Sequence, residues 1–88
     1  MCSKVLVQSK LKHSSFEKLA IELIKLIPSD RFLVEYKYNM IFIGHFNDAY
    51  VNRFKGFYIF HDIDSKNTIL TKFEQAKKIL KGEKLIDE

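Results

Sequence analysis

Three histidines, His13, His45 and His61, are the side chains in this sequence best suited to moving a proton or binding a transition metal near neutral pH. None lies at the spacing that presents two ligands to one ion, and the single cysteine, Cys2, is too few for a Cys-based zinc site or an internal disulfide. Cys2 also has no neighbour in sequence that would activate it as a nucleophile. Asp62 and Asp64 are two residues apart at the end of an apolar run, so both can point the same way and hold Mg²⁺. A turn followed by a helix N-cap accounts for the same two carboxylates.

Asp30, Glu35 and Lys37 faintly resemble the Asp…Glu-x-Lys set of metal-dependent nucleases, in which two carboxylates hold Mg²⁺ and lysine activates water. Asp30 and Glu35 are five apart on what reads as one strand, so they face opposite ways and cannot share an ion. Gly44, Gly56 and Gly82 are too far apart for a phosphate-cradling loop. The expectation is therefore no catalytic residue, no metal and no cofactor: a binding protein rather than an enzyme.

The elements that must position any site follow from composition and periodicity. Eighty-eight residues make one domain; 47% hydrophobic and 30% charged residues exclude disorder and low complexity. No apolar run approaches the ~18–20 residues of a membrane span. The Met1-Cys2-Ser3 start lacks the apolar core of a signal peptide, and a lone thiol suits a reducing cytoplasm. The net charge of +4 permits an anionic partner without demanding one. Lys outnumbers Arg 13 to 2, and residues with A+T-rich codons dominate, which points to an A+T-rich genome.

Lys4–Gln8 reads as a short β-branched strand. Ser14 and Glu17 form a capping box that opens a helix, whose apolar face is Phe16, Leu19, Ala20, Leu23, Ile24 and Ile27 and which Pro28 stops. Arg31–Tyr38 alternates, with Phe32, Val34, Tyr36 and Tyr38 on one face; a tight turn at Tyr38-Asn39 leads into a strand over Met40–Phe46. Asn47–Arg53 is a loop or one helical turn, and Gly56–Ile63 is the last strand. Pairing of these last two strands places His45 near Phe57 and His61 near Ile41. Residues 64–68 offer several N-caps for a helix carrying Ile69, Leu70, Phe73, Ala76, Ile79 and Leu80; Gly82 sits where such a helix ends. Residues 83–88 read as a frayed tail. The expected fold is a single small α+β domain in the order β-α-β-β-β-α, a mostly antiparallel four-stranded sheet with two helices on one face.

Eight Phe and four Tyr exceed what one face of a small sheet can hide. Tyr58 and Phe60 alternate with Phe57 and Ile59, so the helix-free face is expected to carry exposed rings. The favoured role is protein–protein recognition through Tyr36, Tyr50, Arg53, Phe54, Tyr58 and Phe60, by way of the outer sheet face and the Asn47–Lys55 loop. The partner would be a larger, host-encoded protein, with homodimerisation through a sheet edge as a further possibility. In style alone such a chain resembles the small host-takeover or anti-defence proteins of phages. The alternative is nucleic-acid binding through Lys66, Lys72, Lys77, Lys78 and Lys81. The α-β-β-β-α order from Ser14 to Gly82 resembles that of double-stranded-RNA-binding domains, which grip phosphates with lysines opening the second helix. Here the paired lysines Lys77-Lys78 come late, and Asp62 and Asp64 crowd the helix start.

Overall fold

The computed structural model describes residues 11–87. The strand expected over Lys4–Gln8 lies outside them, as does Cys2. Within them the order is α1 (His13–Lys25), β1 (Phe32–Lys37), β2 (Met40–Phe46), β3 (Phe54–Phe60) and α2 (Lys66–Leu80). The sheet of the described residues has three strands in the order β1-β2-β3, all antiparallel, rather than the four expected.

Both helices cover the same face. Val34, Ile41, Ile43, Phe57 and Ile59 point from the sheet into a core closed by Phe16, Ala20 and Leu23 of α1 and by Ile69, Phe73, Ala76, Ile79 and Leu80 of α2. The stripe of α1 is narrower than its sequence suggests: Ile24 remains exposed. No side chain caps α1, so the expected Ser14–Glu17 box is not formed. The helix begins two residues early, with Lys12 at the N-cap and the His13 ring, in the first turn, stacked on Tyr38 at 3.7 Å. Ser14 thereby becomes an interior residue and loses the extended backbone a cap requires. The second helix follows expectation closely. Ser65 accepts from the Thr68 amide, and at the other end Gly82 turns left-handed (φ 78°) while the Gly82 and Glu83 amides return to the carbonyls of Ile79 and Lys78.

Strands β1 and β2 are joined by the two-residue turn Tyr38-Asn39, with Lys37 opposite Met40. β3 starts at Phe54, two residues earlier than expected, and ends at Phe60 rather than Ile63. His45 consequently faces Lys55, not Phe57. The slip is an even number, so every side chain keeps its expected face. Its cause is a compact loop: Tyr50 and Arg53 amides donate to Asn47 and Tyr50 carbonyls, Arg53 adopts a left-handed φ of 62°, and the Asn47 amide closes back on Arg53. Asp64 stops β3 by accepting from the Phe60 amide at 2.9 Å. The chain beyond α2 is not a frayed tail: Ile86 is buried in the core.

Gly44 and Gly56 pair across β2 and β3, and neither has room for a side chain. A Cβ on Gly56 would stand 2.4 Å from the Phe42 ring and 2.9 Å from the Ile43 carbonyl oxygen. A Cβ on Gly82 would meet nothing. Gly56→Ala should therefore destabilise the fold by about 1–3 kcal/mol through overpacking. Gly82→Ala should cost about 1 kcal/mol from backbone strain alone. Urea denaturation followed by far-UV circular dichroism checks both, and equal losses would contradict the steric account.

Candidate functional site

The face of the sheet turned away from the helices carries Leu33, Glu35 and Lys37 from β1, Met40, Phe42, Gly44 and Phe46 from β2, and Phe54, Gly56, Tyr58 and Phe60 from β3. These residues share it because side chains alternate along each strand and the registers keep parity. Among the described residues nothing packs over it: Phe46 and Tyr58 are each 45% exposed. Its rings form a continuous diagonal. Phe46 meets Phe54 at 4.6 Å between centroids, Phe54 lies 6.3 Å from Phe42, Phe42 lies 4.8 Å from Tyr58, and Tyr58 stacks on Phe60 at 5.4 Å. The glycine pair explains the layout. Phe54 lies over Gly44 and Phe42 over Gly56, so two rings lie down on the backbone instead of standing away from it. The result is a flat aromatic surface, held in place by neighbouring rings.

At one end this surface meets the 47–53 loop. A hollow of about 300 Å³ there is lined by Ala49, Tyr50, Val51, Asn52, Phe54 and Lys55, and Val51 is fully exposed. Of the residues singled out in sequence, Phe54, Tyr58 and Phe60 lie on the aromatic surface, and Arg53 is exposed beside it. Tyr36 does not belong with them. It faces the helix side, 6.3 Å from the ring of Phe16, where loss of water, and then Glu17 and Tyr38, raise its phenol above the usual value. Nor does Tyr50: it is buried, with its hydroxyl engaged inside the molecule.

The lysines are scattered in role. Lys72 donates to the Asp64 carboxylate at 3.2 Å and to the Tyr58 carbonyl at 3.0 Å. Tyr58 faces Phe42 in a pair whose backbone groups do not bond each other, so that carbonyl and the Phe60 amide point outward from the free edge of β3. Asp64 and Lys72 together thus cover part of a sheet edge. Lys77 pairs with Glu74 and sits 4.8 Å over the Phe73 ring. Lys66, Lys78 and Lys81 remain exposed.

Two groupings were invisible in sequence. His13 and His61, 48 positions apart, pack edge to face at 5.0 Å; the Nε2 of His13 bonds the Tyr38 carbonyl, and that of His61 bonds the Leu11 carbonyl at 2.7 Å. Among the described residues no three His, Cys, Asp or Glu side chains come together to hold a metal ion. The second grouping centres on His45, the buried polar side chain of the core. Its Nδ1 lies 2.9 Å from the Tyr50 hydroxyl, which in turn accepts from the Ile86 amide at 2.8 Å. Alternation already places His45 on the face of Ile41 and Ile43, which was the available signal that it is buried and needs a partner. Desolvation, and secondarily the charge of Arg31, hold its pKa below the ordinary 6.5.

Because the His45 pKa is lowered on folding, the unfolded chain binds the extra proton first as pH drops. This contribution to stability is complete above about pH 6.5 and is lost as pH falls below it. Melting temperature should decline through that window, and NMR titration should place the His45 ring below the unperturbed value. Tyr50→Phe should cost about 1–3 kcal/mol, since it strands both the His45 nitrogen and the Ile86 amide. Urea denaturation measures that loss, and a variant as stable as the wild type would mean that the triad carries no weight.

The chain has no significant match among protein-family models, curated proteins or solved structures.

Proposed function

We propose that this chain is a non-enzymatic binding module that recognises another protein through the aromatic outer face of its sheet, extended by the 47–53 loop. The observation that carries this reading is the continuous array from Phe46 to Phe60, uncovered by any described element. Rings already pinned by their neighbours and by the glycine pair lose little conformational freedom on contact. Aromatic side chains at the centre of a patch are those that dominate interface energetics. Glu35 and Lys37 form a charged rim on the β1 side, where a polar border would shield the apolar centre. A larger, host-encoded partner, occluded in the manner of phage host-takeover or anti-defence proteins, fits a small chain whose composition favours residues with A+T-rich codons.

Capture from nuclease-treated lysate of an A+T-rich bacterial host, followed by affinity measurement with the purified partner, tests the proposal. The double variant Phe46→Ser/Tyr58→Ser should weaken binding by at least about tenfold. Both side chains are nearly half exposed, so the fold should survive, as circular dichroism would verify. The variant Lys78→Glu/Lys81→Glu should bind as the wild type does. The reverse pattern, together with loss of capture after nuclease treatment and a steep salt dependence, would replace a protein partner with a nucleic acid.

A further inference from the structure

We propose that the cavity where β1 and β2 meet the 47–53 loop binds a carboxylate group, received by the Nε2–H of His45 and the guanidinium of Arg31. The cavity holds about 420 Å³ and is lined by Ser29, Arg31, Phe32, His45, Phe46, Asn47 and Asp48. Its polarity follows from the core network. The Tyr50 hydroxyl oxygen accepts the Ile86 amide and lies 2.9 Å from His45 Nδ1, and in the proposed site its own proton goes to that nitrogen. Nδ1 is thereby an acceptor, and the ring proton sits on Nε2. His45 is engaged through Nδ1 and its ring lines the cavity. In the proposed site Nε2–H opens on that cavity.

This donor is immobilised before any ligand arrives. His45 is 6% exposed; its ring stacks on Phe32 at 4.3 Å, 8° from parallel, and meets the edge of Tyr50 at 5.4 Å. Nearby acceptors are already engaged: Ser29 Oγ takes the Arg31 amide and Asn47 Oδ1 takes the Ala49 amide. The cavity thus offers one planar cation and one neutral N–H, with Asp48 as the opposing charge. A single negative charge with two acceptor oxygens matches that set, because guanidinium forks fit carboxylates. A dianionic phosphate would meet Asp48 with a single cation to balance it. Among the described residues no three His, Cys, Asp or Glu side chains gather at this cavity to hold a metal ion. The inference does not depend on the aromatic face being an interface.

The carboxylate could belong to a small organic acid or to an acidic side chain of another protein. Long-range ¹H–¹⁵N NMR of the histidine rings distinguishes these, with propionate and N-acetyl-aspartyl-phenylalanine amide titrated against chloride at matched ionic strength. The His45 ring nitrogens should shift saturably with either probe. Tighter binding of the peptide assigns the site to an acidic protein segment, and comparable binding assigns it to small acids. Arg31→Gln should weaken binding by about tenfold. Asp48→Asn, which removes the repulsive charge, should strengthen it by roughly threefold. Both residues are exposed, so the variants should fold. A His45 signal that does not move, that moves equally with chloride, or that responds unchanged in Arg31→Gln overturns the proposal.

Discussion

A sheet has two faces, and two helices with one apolar stripe each can bury one of them. That constraint organises the molecule. The inward-pointing residues of all three strands join Phe16, Leu23, Ile69, Phe73 and Leu80 in one core. Phe42, Phe46, Phe54, Tyr58 and Phe60, on the alternate positions of β2 and β3, face away from the helices. The molecule limits the exposure of these rings by laying two of them across a glycine pair. Gly44 and Gly56 give up side chains so that Phe54 and Phe42 can pack on backbone. What remains exposed is a flat, ordered surface rather than a loose fringe of side chains.

The same alternation that fills the core with Ile41 and Ile43 also buries His45, which must then be satisfied from inside. Tyr50 reaches it from the loop, and Ile86 reaches Tyr50 from the chain beyond α2. One short run of hydrogen bonds therefore ties the loop and the C-terminal arm to the central strand. It also holds the His45 ring in place at the cavity wall, so a structural requirement of the core positions a group that lines the cavity.

An edge strand with unpaired backbone groups invites association. On β3 the Phe60 amide is taken by Asp64 and the Tyr58 carbonyl by Lys72, and those two side chains pair with each other. A carboxylate that reads in sequence as a metal ligand, and a lysine that reads as a phosphate contact, are spent on the edge. Lys77 is similarly engaged with Glu74 and Phe73. The basic stretch of α2 is thus less available to an anion than its charge count implies.

Periodicity was enough to identify both helices, three strands, the Tyr38-Asn39 turn and the face on which each strand residue lies, because these depend on local geometry that repeats every 3.6 or 2 residues. It sufficed for Gly82 and for a cap somewhere in residues 64–68, since caps are local, while the structure singled out Ser65. It failed where distant segments meet. The start of α1 falls at Lys12, beside the stack of His13 on Tyr38, rather than at the Ser14 box, and the start of β3 follows the hydrogen bonds inside the 47–53 loop. Tyr50 looked like a surface ring until Ile86 and His45 enclosed it, and Tyr36 until α1 lay beside it. Sequence alone determined the elements and the existence of a surplus aromatic face; tertiary structure decided which polar and aromatic groups are buried against one another, since that depends on contacts between residues tens of positions apart that leave no periodic trace.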